Sequence, residues 1–249
     1  GEAIALRPGT ATLTAAADGL TIGADFAVRQ IAARITLSDT LVVLDALQRD
    51  TVGRATAYDR RNNVISGATF KWRSSRPSVI QVVDSNAGRF RALVADTGTV
   101  RAYRDTVSGK SSVRVVQTLS SVTITPKPVA SNALNDTIQL TARIVDPNGQ
   151  EVGGRRPVWL SLNPTVATVD TLGRLVTRAR GNTRVVASVG TPADTAGVSV
   201  TQDPARVVVT PSEKTFLTLG DTATLTAALT DRRGTAIAGA VTATVQIEP

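Results

Sequence analysis

The chain opens with GEAIALRPGTATLTAAADG at residues 1–19, and GRLVTRARGNTRVVASVG at 173–190 repeats its pattern. A third version, GRFRALVADTGTVRAYR, occupies 88–104. Gly1 falls on Gly173 and Gly9 on Gly181, so the opening reads as the back half of a repeated unit. The front halves align as well, from Val28, Val115 and Val200. Gln30, Gln117 and Gln202 mark the junctions at intervals of 87 and 85 residues, and Trp72 and Trp159, like Pro77 and Pro164, stand 87 apart. Self-similarity at one period marks a tandem array. The expected organisation is a C-terminal half-unit at 1–30, complete units at 31–117 and 118–203, and an N-terminal half-unit at 204–249. The segment is expected to be a window in a longer array. Its half-units would be completed by further chain, or by neighbouring copies through head-to-tail strand addition.

Within a unit the periodicity is that of strands. In DTIQLTARIVD, Ile138, Leu140, Ala142 and Ile144 share one face, while Gln139, Thr141 and Arg143 take the other. In DTATLTAALTD, Ala223, Leu225, Ala227 and Leu229 repeat the arrangement. The turns DRRN at 59–62, DPNG at 146–149 and DRRG at 231–234 follow. Asp suits the first position of a type I turn, Pro the second and Gly the fourth. The strands VATVD, RLVTRA, TRVVASV and AGVSVTQ complete the unit. Roughly seven strands per unit, with turns every 8–12 residues or so, predict a two-sheet sandwich. The fold class is therefore all-β.

These residues carry a family resemblance. VTITP, DTIQLTARIVDPNG and VWLSLNPTVATVDTLGRLVTRARGNTRVVASV together resemble the bacterial immunoglobulin-like domain, group 2, found in invasin- and intimin-like surface proteins. The resemblance covers the whole chain and implies tandem immunoglobulin-like sandwiches in an extended array. It also implies an extracellular or cell-surface setting and stalk or adhesion roles, and it assigns no catalytic residues. The chain departs from the repeat in two places. DTVGRATAYD is one residue shorter between its Asp residues than DTIQLTARIVD, and Gly53 inside it predicts a bulge. Thr244 stands where the other units carry Trp, so that core must pack differently.

Composition narrows function. Cys, His and Met are all absent, which removes disulfides, thiolate metal sites, the usual general base and the usual transition-metal ligand. Phosphate-binding Gly-rich loops and amphipathic helices are missing too. The expectation is no enzyme, no cofactor and no metal site. No apolar run is long enough to span a membrane, and the opening lacks the pattern of a signal peptide. Trp72 and Trp159, at matched positions in a central strand, are expected in the core rather than as sugar platforms. Asp59, Asp84, Asp136, Asp146, Asp170, Asp221 and Asp231 recur at strand ends, where turn formation accounts for them. Calcium at the joints is the lesser alternative, because no D-x-D-x-D-G loop occurs.

The net charge of +8 is unevenly placed. Residues 31–117 hold 14 basic and 7 acidic side chains, against 8 and 6 in residues 118–203. Arg60, Arg61, Arg73 and Arg91 are the candidate contacts for an anionic partner, either an acidic polysaccharide or a neighbouring subunit. The plainer reading is a solvated basic surface. Nucleic-acid recognition is not expected without exposed aromatics or a recognition helix. The junctions are short: only Asp203, Pro204 and Ala205 separate Gln202 from Arg206. Such joints predict limited bending. The expected function is a structural stalk or fibre module that contacts neighbouring modules or copies of itself, with filament assembly as an extension. The alternative is an adhesin or carbohydrate-associated binding module, including a phage-borne one.

Overall fold

A computed structural model describes residues 2–210, 215, 217, 218, 220, 222 and 224–239. Expectations for Asp221, Ala223 and Thr244 lie outside these residues. The described residues form strands and turns, with no helix among them. The chain divides into two compact units, Gly1–Thr118 and Leu119–Pro249.

In the first unit, β1 (Gly9–Ala17) and β2 (Leu20–Val28) form an antiparallel hairpin in register from Gly9 opposite Val28 to Ala17 opposite Leu20. Nine strands follow: β3 (Arg34–Leu37), β4 (Leu41–Leu44), β5 (Asp50–Val52), β6 (Ala55–Tyr58), β7 (Lys71–Ser74), β8 (Ile80–Asp84), β9 (Arg89–Ala92), β10 (Thr97–Arg104) and β11 (Val107–Val115). One sheet has the order β4-β11-β10-β7. The opposing layer comprises β3-β6 and β5-β9-β8.

The second unit repeats this plan with β12 (Ser121–Thr125), β13 (Val129–Ser131), β14 (Thr137–Gln139), β15 (Thr141–Val145), β16 (Val158–Ser161), β17 (Ala167–Val169), β18 (Arg174–Thr177), β19 (Gly181–Ser188) and β20 (Ala193–Val200). The sheets are β13-β20-β19-β16 against β12-β15 and β14-β18-β17. After them, β21 (Arg206–Thr210), β22 (Thr226–Thr230) and β23 (Ala236–Ile237) form a three-stranded antiparallel sheet.

The nine pieces are seven immunoglobulin strands, two of them broken. The first strand starts against its antiparallel neighbour (β3 on β6, β12 on β15) and then crosses to lie parallel to the last strand (β4 on β11, β13 on β20). The second strand breaks where it changes partner, at Leu140 in one module and at Gly53 and Arg54 in the other. The resulting four-strand and three-strand layers are those of the immunoglobulin sandwich. One apolar core runs from Ala32 to Val115 and a second from Val122 to Val200.

Gly53 is therefore a crossing point rather than a bulge. Its N–H donates to Gly88 O at 3.0 Å, as the Leu140 N–H donates to Gly173 O at 2.8 Å. The segment is not shortened either. Thr51 faces Phe90 as Ile138 faces Leu175, so Asp50 corresponds to Thr137 and Arg49 to Asp136. The glycine has a steric reason. A Cβ on Gly53 would lie 2.5 Å from the Trp72 ring, and one on Gly88 would lie 2.6 Å from it. Trp72 fills this space and is 4% exposed. In the sister module Leu140 is buried at that position, and Trp159 packs against the core while only partly buried. Trp72 fits the core expectation fully and Trp159 in part.

Two substitutions test this packing in denaturant melts. Trp72→Ala is expected to cost about 3–5 kcal/mol, the range for emptying a large aromatic site. Gly53→Ala is expected to cost about 1–3 kcal/mol through overpacking against the ring. A neutral Gly53→Ala would show that the ring does not need the empty position.

Candidate functional site at a module joint

Three turns at corresponding positions of the repeat share one construction, which the Asp170 turn also has. Asp59, Asp146 and Asp231 each donate their N–H to the carbonyl four residues on, in Asn63, Gln150 and Thr235. The residue three on, Asn62, Gly149 or Gly234, returns a bond to the Asp carbonyl and takes φ of 63°, 75° or 81°. That left-handed position suits Asn or Gly. One carboxylate oxygen, Oδ1, is taken up by the turn itself. It accepts the N–H groups of Arg61 and Asn63, of Asn148 and Gln150, and of Arg233 and Thr235, all at 2.9–3.0 Å.

In the second unit, the other oxygen of Asp231 faces the preceding module. It accepts the Leu134 N–H at 3.0 Å and the Gln202 Nε2 at 3.2 Å. Gln202 is buried, and its amide also lies 3.2 Å from Ala236 O. The connecting backbone is bonded on both sides. The Thr201 and Asp203 N–H groups donate to Ser131 O and Asn132 O, and the Ala205 N–H donates to Thr230 O. Pro204 lies between them and has no N–H to leave unpaired. In the first unit, Gln30 Nε2 likewise donates to Asp59 Oδ2 at 3.2 Å.

A charge cluster reinforces the joint. Asp136 is 4% exposed and accepts bonds from Ser131 Oγ at 2.9 Å and from the Arg233 guanidinium at 2.7 and 3.1 Å, and it also pairs with Arg232. Burial alone would raise the Asp136 carboxyl. The hydrogen bonds from Arg233 and Ser131, with the Arg232 charge and the Thr137 N–H, outweigh it and hold the group below its ordinary value. Asp231 behaves alike: desolvation opposes ionisation, and the Leu134, Thr235, Gln202 and Arg233 donors overcome it. By sequence correspondence Arg49 takes the place of Asp136, and Pro147 and Asn148 take those of Arg232 and Arg233.

The candidate arginines do not form one stripe. Arg60 and Arg61 are exposed in the Asp59 turn. Arg73 lies on β7, with its guanidinium 5.7 Å from the Tyr103 ring centre. Arg91 lies on β9 in the opposing layer, bound to Asp50 at 2.5 and 2.9 Å, and those bonds lead in lowering the Asp50 pKa. Alternation alone does not say which sheet a strand joins, so Arg73 and Arg91 separate. Neither strand alternation nor turn composition reveals the latch, although the residues carry a trace of it: each junction Gln precedes a turn Asp by 29 residues, at 30 and 59, 117 and 146, and 202 and 231.

No family model and no curated protein matches the chain. Solved structures similar to it include the S-layer protein rSbsC(31-844), at 15% identity over 93% of this chain and 39% of that one, with a TM-score of 0.36. The Escherichia coli adhesin FdeC matches at 15% identity over 77% of this chain and 74% of that one, with a TM-score of 0.35. A C-terminal fragment of intimin, solved with the intimin-binding domain of its translocated receptor, matches at 15% identity over 74% of this chain and 68% of that one, with a TM-score of 0.32. The chain thus spans about two-fifths of the S-layer structure, 39% of its length.

The latch predicts an acid response at one amide. Because the folded pKa values of Asp136 and Asp231 lie below the ordinary 3.8, their stabilisation is complete above that value. It is lost as pH falls through the lowered folded values. The Leu134 amide should therefore keep its slow hydrogen exchange down to pH 3.8 and lose it only below, while Gln202→Ala should speed its exchange at neutral pH. A loss of protection well above pH 3.8 would contradict the assignment.

Proposed function

We propose that the chain is a structural spacer of a surface or secreted protein, built from group 2-type immunoglobulin-like modules whose joints resist bending. The observation that supports this reading is the latch at Asp231. A spacer must hold each module in register with the next, and a flexible tether would leave that orientation free. Here Gln202, buried beside the Asp231 carboxylate, and the bonded backbone from Thr201 to Ala205 restrict that freedom. The two Arg–Asp136 contacts add a directional constraint to the same joint.

Assembly is part of the proposal. Register places Ala11, Leu13, Ala15 and Ala17 on the same hairpin face as Leu20, Ile22, Ala24 and Phe26. Leu13 is 48% exposed and Ile22 75% exposed, and Leu225, ahead of β22, is 49% exposed. In the complete modules the corresponding hairpin face covers a core. We assign these faces to complementary strands of a second copy.

Two measurements test the proposal. The chain has no Cys, so spin labels can be placed singly at Arg178 and Val208, on either side of the Gln202 joint. A narrow distance distribution that broadens in Gln202→Ala/Asp231→Ala is expected, and a broad one in the unmodified chain would remove the stiff-spacer reading. Sedimentation should show concentration-dependent association that Ile22→Lys abolishes. A chain that stays monomeric at every concentration would rule out self-assembly through this face.

A further inference from the structure

The outward face of the β4-β11-β10-β7 sheet carries a line of like charges. Arg73 on β7 is directly opposite Arg101 on β10, and Arg101 is directly opposite Lys110 on β11. Adjacent strands are about 4.8 Å apart, so three cations stand side by side across three strands. Lys71 and Arg114 lie on the same face and are exposed. None of the four strands contains an Asp or Glu. Asp39, just ahead of β4, accepts a bond from Ser38 Oγ at 2.8 Å. Among the described residues, no ion pair joins Arg73, Arg101 or Lys110 to a carboxylate.

Like charges directly opposite one another destabilise a sheet. The fold does not require them. In the sister module the same row is Leu160, Val186 and Thr195, in the same register on β16, β19 and β20. One scaffold thus carries a cationic row in one module and an uncharged one in the other. An anion bound across the row would relieve that repulsion.

The surroundings of the row narrow the ligand. Thr99 and Ser112 pair on one side of it, and Tyr103 and Ser108 on the other. Hydroxyls interleaved with cations match a polyol that carries anionic groups. A nucleic-acid strand would need open aromatic faces for stacking. The Tyr103 ring already has the Arg73 guanidinium over it. Leu41 and Val43 on β4 are exposed beside Ser112 and Arg114, but two aliphatic side chains on a sheet edge are not the amphipathic helix with aromatic and leucine anchors that seats in a membrane surface. We propose that this face binds a linear anionic polysaccharide bearing carboxylate or sulfate groups, with Arg73, Arg101 and Lys110 as the charge contacts. This proposal does not depend on the spacer reading.

The test is titration of the intact chain with polygalacturonate at low ionic strength. Neutral dextran, duplex DNA and phosphatidylglycerol vesicles run in parallel. Arg73→Leu/Arg101→Val/Lys110→Thr installs the sister module's row, and Arg54→Ala/Arg155→Ala/Arg156→Ala removes the same charge from exposed positions elsewhere. The expected result is polygalacturonate binding that weakens at least about tenfold in the row variant, equivalent to about 1.4 kcal/mol, and less than about twofold in the control. Dextran should not bind. Arg101→Gln alone should weaken binding several-fold, which covers a row variant that fails to fold. Absence of polygalacturonate binding, equal loss in both triple variants, or tighter binding to DNA or vesicles would each overturn the proposal.

Discussion

The carboxylate of Asp231 serves two structures at once. One oxygen closes its own hairpin turn by accepting the Arg233 and Thr235 N–H groups. The other accepts the Leu134 N–H and the Gln202 amide from the preceding module. A carboxylate is an acceptor with room for several donors, so a single buried Asp can fix a turn and tie it to a neighbour. Neither half can shift without leaving buried donors unpaired, and an unpaired buried donor costs more than a hydrogen bond gains. The turn therefore works as a bearing surface as well as a chain reversal. Asp136 follows the same logic with charge. Its burial is tolerable because two guanidinium groups and a hydroxyl answer it.

The modules reach the same topology through different packing. Where Gly53 and Gly88 admit the Trp72 ring, the sister module places Leu140 and lets Trp159 ride higher. Close by, a Cβ on Gly98 would meet Ile80 at 2.6 Å, and at the matched positions Thr183 stands with Ala167. Volume lost at one position is regained at its neighbour, as a close-packed interior demands. What stays constant is the set of devices that steer the backbone: the crossing second strand, the parallel return of the first, and the Asp-closed turns. These act through backbone hydrogen bonds, which accept many side chains provided the core volume is kept.

Outward faces carry no such constraint, and there the modules diverge most. Val158 and Leu160 are 68% and 57% exposed on β16, at the positions that Lys71 and Arg73 hold on β7. A β-strand separates the two requirements by alternation, with one set of residues serving the core and the other free to meet solvent or a partner. A tandem array of such modules can keep one spacing while each face takes its own chemistry.

Period-two alternation, the recurrence at 85–87 residues and the turns that open on Asp made an all-β tandem sandwich legible in the residues alone, because these signals are local or repeated. The core placement of Trp72 was legible for the same reason. Gly53 was visible as an anomaly, but its cause was a ring in another strand, and only packing reveals that. The pairing of Gln202 with Asp231 left a trace in a constant spacing of 29, yet nothing local says that an amide and a carboxylate so spaced will touch. Arg73 and Arg91 looked alike in sequence and part in space, because sheet membership is decided by long-range pairing. The same pairing sets Arg73 beside Arg101 and Lys110. Composition determined that this module is basic. Strand order alone determined which of its charges stand together.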